Sequence, residues 1–271
     1  MLQDLGTLDG AVLVFGGPYS NIDALQALMS EAEAAGIGSG HMVCTGDTVA
    51  YCAAPRESVA LLRDKNICVV AGNCEKQLAA GADTCGCGFD AGSACDLLSG
   101  SWYSFAASQI SVSDRDWMRN CPDIAVFRHQ GARYAVIHGG VTDIARFIWH
   151  DSDETVFADE WAALEDITGP VDHVIAGHCG IPFIRTVSHG RWINAGVIGM
   201  PPHDGRQQTR YAVIDGGEVL FHHLSYDTET AAARMEDAGL VQGYHSALRS
   251  GYWPSEDVLP SSLRLPSFAR G

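Results

Sequence analysis

Ala71-Gly72-Asn73-Cys74-Glu75, directly behind the apolar run Ile67-Cys68-Val69-Val70, is the stretch on which the reading of this chain turns. A short β-branched run closed by a glycine describes a buried strand that stops at a sheet edge and leaves polar side chains there. The arrangement recurs. Residues 41–44 run into Thr45-Gly46-Asp47, residues 134–137 into His138-Gly139-Gly140, and residues 173–175 into Ala176-Gly177-His178. An Asp, an Asn and two His at strand ends make a ligand set for one hard-to-borderline metal ion. A first strand over residues 11–15 should bring a fifth turn, Gly16-Gly17-Pro18-Tyr19, to the same edge, but that turn offers neither carboxylate nor imidazole.

Outward from these turns, strands alternate with helices through the first half. Ile22, Leu25, Leu28 and Met29 recur at helical spacing up to Gly36, and residues 57–65 read as a second helix. Residues 81–94 form a Gly- and Cys-rich loop, and Ser113 with Asp116 resembles a capping box opening a helix through Met118. From Arg133 strands predominate, at residues 183–187, 192–193, 211–214 and 219–224, separated by turns such as Ser188-His189-Gly190 and Asp215-Gly216-Gly217. The tail from Asp227 reads as helical and then irregular, with Pro254, Pro260 and Pro266. Two sheets packed face to face with helices outside accommodate both halves, which places the chain in the layered α/β class.

Composition narrows the function. With 271 residues and 46% apolar content, the chain can bury one good core without a covalent staple. Its 33 acidic and 17 basic residues give a formal charge of -16, which repels nucleic acid and anionic membranes but leaves a small anionic substrate open. Nine cysteines, an odd number scattered through the chain, read as reduced thiols. Met1-Leu2-Gln3-Asp4 has neither a basic nor an apolar leader pattern and no long apolar run follows, so the expected compartment is the cytoplasm.

In order, Gly46-Asp47-Thr48-Val49, Gly72-Asn73-Cys74-Glu75, His138-Gly139, Gly177-His178 leading to Ile181-Pro182-Phe183, and Asn194-Ala195-Gly196-Val197-Ile198-Gly199-Met200-Pro201 resemble the motifs of the calcineurin-like metallophosphoesterases. The likeness is greatest to their small bacterial and archaeal branch and runs from about Val12 to Leu224. It implies a four-layer αββα sandwich over residues 1–225, with 226–271 as a C-terminal helical appendage. It also implies how the turns are used. The family builds two adjacent metal sites, and Asp47 matches the bridging carboxylate while Asn73, His138 and His178 match the other ligands of the second site. The remaining ligands of the first site fall on Gly17, Tyr19 and Gly180, which leaves that site degenerate.

The expected cofactor is therefore Mn, Fe or Zn, one ion, with a rebuilt pair as the alternative. The expected activity is hydrolysis of a small phosphomonoester or phosphodiester by metal-bound hydroxide, with Asp47, Asn73, Cys74 and His138 as the catalytic set. Cys74 stands where many relatives carry a proton-donating His, and is more readily a residue lining the site than a catalyst. Glu75 could orient a neighbour from behind the ligands. Tyr19 and Arg146 are candidates for holding phosphate, Arg185 a weaker one, and for either Arg a carboxylate partner is the commoner fate. A second class of function is a catalytically impaired relative that binds a nucleotide or other phosphate ligand as a sensor or partner protein. A third is a zinc or redox module built on Cys85, Cys87 and Cys95, although free loop thiols are the commoner reading of that spacing. Cys179 could rebuild the lost site only if the extended backbone did not aim it away from His178. The oligomeric state is left open.

Overall fold

A computed structural model describes residues 1–90 and 92–265; Pro266 of the tail lies outside the described residues. The strands are β1 (Leu2–Thr7), β2 (Val12–Phe15), β3 (Met42–Cys44), β4 (Cys68–Val69), β5 (Ile124–His129), β6 (Ala132–Val136), β7 (His173–Ala176), β8 (Phe183–Val187), β9 (Gly190–Asn194), β10 (Thr209–Asp215) and β11 (Glu218–Leu224). The helices are α1 (Ile22–Ala34), α2 (Pro55–Asp64), α3 (Asn73–Ala80), α4 (Ala94–Gln109), α5 (Val112–Arg119), α6 (Glu154–Thr168), α7 (Thr228–Asp237) and α8 (Tyr244–Ser250).

Two sheets result, one ordered β1-β5-β6-β7-β9-β8 and the other β11-β10-β2-β3-β4. Strand alternation sets the layers. Val12 and Val14 of β2 face inward and pack with Val43, Phe127, Val136 and Ile175 between the sheets. Leu13 and Phe15 face outward and pack with Leu25 and Leu28 of α1. On the far side, Ala135, Val174 and Trp192 meet Phe157, Trp161 and Leu164 of α6. The architecture is thus the expected four-layer αββα sandwich.

Parallel pairing explains why the polar turns meet. β2, β3 and β4 run parallel, with Phe15 opposite Cys44 and Cys44 opposite Val69. β6 and β7 also run parallel, with Val136 opposite Ile175. Each sheet therefore releases its turns at one edge. The tail is packed against the rest of the molecule: Ala232, Met235 and Leu248 share a buried cluster with Val49, Cys74 and Trp102.

Two features depart from the reading of the sequence. The capping box lies at Ser111 and Asp114, whose side chains bond each other's backbone N–H groups at 3.2 and 3.1 Å, rather than at Ser113 and Asp116. Buried Ile110 ends α4 and Ser111 opens α5, so the two helices abut and the cap shifts back. Cys85 and Cys87 are not free thiols but a disulfide, because Gly86, at φ 60°, folds the loop so that their Cα atoms lie 5.3 Å apart. Cys95 is free, so the three do not gather as thiolates around zinc. Among the described residues, no helix is long and apolar enough to cross a membrane.

Candidate metal centre

The centre begins with two turns held together by one buried carboxylate. Glu75, in the first turn of α3, accepts the backbone N–H groups of Gly72 at 2.8 Å, Asp47 at 2.8 Å and Thr48 at 2.7 Å. This joins the turn after β3 to the turn after β4. The glycines permit the approach: a Cβ on Gly72 would lie 2.4 Å from Asp47 Oδ1, and one on Gly46 would lie 2.7 Å from the Gly72 nitrogen. Asp47 and His178 both sit in the left-handed region, at φ 55° and 59°, a strained conformation that the surrounding structure must maintain.

The side chains then converge. His138 Nδ1 lies 2.6 Å from the Thr45 carbonyl; a carbonyl only accepts, so Nδ1 donates and Nε2 faces the centre. Nε2 lies 3.1 Å from Asn73 Oδ1, 3.1 Å from His178 Nδ1 and 3.4 Å from Asp47 Oδ2. The Asn73 amide is oriented from behind, because its Nδ2 donates to the Cys85 carbonyl at 3.0 Å, which leaves its oxygen facing His138. Asp47, His138 and His178 hold their ligand atoms within 4.8 Å of one another.

The electrostatics suit a cation. Burial, the largest single influence, opposes ionisation of Asp47, but His138, His178 and Cys74 together outweigh it and hold the carboxyl down at about 2. Burial, and then the neighbouring His138, push His178 down to about 3, so it stays neutral and able to donate a lone pair. His138 is drawn the other way: burial, the largest single influence, lowers its pKa, yet Asp47, the Thr45 carbonyl and Glu75 together outweigh it and the net shift is upward. His138 Nε2, which faces Asp47, Asn73 and His178, is drawn toward the positive charge of a proton, and a metal ion at the same place would replace that proton. The donor set present, two imidazoles with an amide and a carboxylate oxygen, fits a divalent transition metal.

Asp47 and His178 also line a narrow, partly open cleft with a cavity volume of about 50 Å³. Tyr19, Cys74, Cys179 and Gly180 line it as well. Burial, with Asp47 next in weight, pushes the Tyr19 hydroxyl and the Cys74 thiol well above their usual range, so both are neutral. Cys179 is turned to other partners, its sulfur 3.1 Å from Asn194 Nδ2, and burial pushes it up to about 12. Arg146 is not among the residues lining the cleft; it pairs with buried Glu160 at 2.7 Å. Arg185 is held by Glu154 and the His150 carbonyl. The cleft's other walls, Phe147, Tyr244 and Trp253 among them, were not foreseen, since aromatic residues dispersed through a sequence read as ordinary core.

With fold and centre in place, comparison with known proteins gives the class. The profile of the Calcineurin-like phosphoesterase superfamily domain matches residues 18–218, and the chain belongs to that superfamily. A metallophosphoesterase from Sphaerobacter thermophilus is similar in structure, with a TM-score of 0.66 and 21% identity, covering 90% of this chain and 100% of its own. A hypothetical protein from Pyrococcus horikoshii superposes with a TM-score of 0.71 at 17% identity, covering 92% and 99% respectively. At such identities these two structures speak to the fold. No curated protein sequence matches.

Proposed function

We propose that this protein is a metal-dependent phosphoesterase with a single-ion centre, held by Asp47, Asn73, His138 and His178 and acting on a small phosphomonoester or phosphodiester. The carrying observation is the convergence of Asn73, His178 and Asp47 on His138 Nε2, with the opposite ring nitrogen fixed by Thr45. When bound, a Mn, Fe or Zn ion supplies positive charge to the phosphoryl oxygens and acidifies the attacking water. The chain's own residues prepare that place. Glu75 fixes the two turns, Thr45 orients one imidazole, and the Cys74 N–H holds Asp47 Oδ1 at 3.2 Å. Cys74 itself, buried and neutral, serves as a wall of the cleft.

The space for a second ion supports the single-ion reading. A Cβ on Gly17 would lie 2.5 Å from the Tyr19 ring, and one on Gly180 would lie 3.3 Å from the Trp253 indole. A side chain at 17 would collide with the Tyr19 ring, and one at 180 would press tightly against Trp253. The same crowding favours a second reading, in which the centre binds a phosphate compound as a sensor without cleaving it. We place the metal-holding residues in a metallophosphoesterase domain over 1–225, with 226–271 as an extension that adds Tyr244 and Trp253 to the cleft wall, in a cytoplasmic protein. Its partner is a small phosphorylated molecule rather than nucleic acid or membrane, as the charge of -16 favours.

The deciding experiment is elemental analysis of the purified protein coupled to a nitrophenyl-phosphoester assay with and without added Mn. Asp47→Asn and His178→Ala are expected to lose both metal and turnover. Turnover that survives both changes would refute the catalytic reading, and metal and ligand binding without turnover would establish the second.

A further inference from the structure

We propose that the cleft beside the metal centre is an aryl subsite, and that the protein's substrate is a monoanionic phosphodiester carrying a flat apolar arm. This rests on the metal-centre reading above and adds the chemistry of the group that fills the adjoining space.

The walls carry the argument. Tyr19, Tyr51 and Tyr244 form one continuous set of rings, with centroids 4.8 Å apart between Tyr19 and Tyr51 and 4.3 Å between Tyr51 and Tyr244. Phe147 lies 4.4 Å from the His178 ring, which brings an apolar face directly to a metal-ligand imidazole. Trp253 is fixed before any ligand arrives: its Nε1 donates to the Pro201 carbonyl at 2.7 Å and its backbone N–H to His203 Nδ1 at 2.9 Å. Rings held in this way bind a flat apolar group with little ordering cost.

Charge selects the ester. Among the described residues, no Lys or Arg lines the cleft. A divalent ion set against the Asp47 carboxylate leaves roughly a single positive charge, enough for one ester anion. The buried Glu75 carboxylate behind Asp47 opposes a second. A dianionic monoester or a polyphosphate would leave negative charge unbalanced in an apolar wall, where burial of an unpaired charge is costly. A diester avoids that cost, and its second arm has somewhere to go.

The test is equilibrium binding to the full-length, Mn-loaded protein, followed by intrinsic tryptophan fluorescence and calorimetry with diphenyl phosphate, phenyl phosphate and inorganic phosphate as probes. Diphenyl phosphate is expected to bind at least tenfold more tightly than either of the others. Trp253→Ala is expected to weaken diphenyl phosphate about tenfold while changing inorganic phosphate less than twofold, read by calorimetry, with Trp253→Phe restoring most of the loss. The comparison of probes on the unaltered protein stands even if Trp253→Ala misfolds. Equal or tighter binding of phenyl phosphate, equal losses for all three probes, or no binding of diphenyl phosphate would overturn the inference. Its failure is separable from that of the proposed activity. Faster hydrolysis of nitrophenyl phosphate than of bis(nitrophenyl) phosphate would sink the aryl-diester subsite and leave the enzyme. Selective diphenyl phosphate binding with no hydrolysis of any ester would do the reverse.

Discussion

Glu75 shows how much of the centre depends on a residue that offers it no ligand atom. It sits fully buried, and burial, followed by Asp47 beside it, raises its pKa; three backbone N–H groups are nonetheless directed at it. Glu75→Ala leaves those donors unsatisfied at about 1–3 kcal/mol each, so urea unfolding of the metal-free protein is expected to show a loss of about 3 kcal/mol or more. Gly72→Ala acts on the same joint differently, since its Cβ would lie 2.4 Å from Asp47 Oδ1. We expect that variant to fold yet lose most of its bound metal by elemental analysis. The thiols give an independent check of burial. Burial pushes Cys68 up to about 11 and Cys179 up to about 12, so at pH 8 only roughly a thousandth or less of either is thiolate. Iodoacetamide labelling read by mass spectrometry should be slow on the native protein, with partly exposed Cys68 ahead of buried Cys179, and rapid at both after unfolding in urea.

At the level of elements, α6 fixes the loop that follows the His138 turn. Its Glu160, with a fully buried side chain, accepts from the Thr142 N–H at 3.0 Å and from the Arg146 guanidinium at 2.7 Å. Arg146→Ala is expected to lower stability by about 2 kcal/mol, less than a fully buried pair because the Arg side chain is 34% exposed, with KM for a nitrophenyl ester unchanged. A raised KM at unchanged stability would instead assign Arg146 to the phosphate. The strands β2, β3, β6 and β7 were legible in the sequence because a buried apolar run that stops at a glycine has few other interpretations. α6 could have been read too, since Phe157, Trp161, Leu164 and Thr168 are spaced for one helical face. α4 carried a weaker local signal: its Ser, Gly and aromatic residues are modest helix formers, and Trp102, Tyr103 and Ala106 pack into the shared core. β1 gave no alternation because it is an exposed edge strand paired only with β5. Asp47, Asn73, His138 and His178, which meet at the candidate centre, were legible because turn glycines mark them. The aromatic walls were not, because nothing local separates Phe147 or Trp253 from core residues.

For the whole molecule, ligand and tail both feed into stability. Saturating Mn at about a hundred times its Kd adds about 2.7 kcal/mol, so the melting temperature is expected to rise by roughly 5–10 °C and to fall back with a chelator. Ending the chain at residue 225 removes Met235, Leu240 and Leu248 from the cluster they share with Trp102. At about 1.5–3 kcal/mol per buried side chain, the shortened protein is expected to unfold at a clearly lower urea midpoint or to aggregate on gel filtration. The joint made by Glu75 carries a consequence for handling the protein as a whole. Small zinc domains collapse when their ion is stripped, because the ion itself ties the chain together. Here the socket is finished by peptide and carboxylate alone, so a cation would be cargo rather than rivet: a chain emptied by a chelator and recharged with a different metal is expected to keep the near-ultraviolet circular dichroism of the native fold.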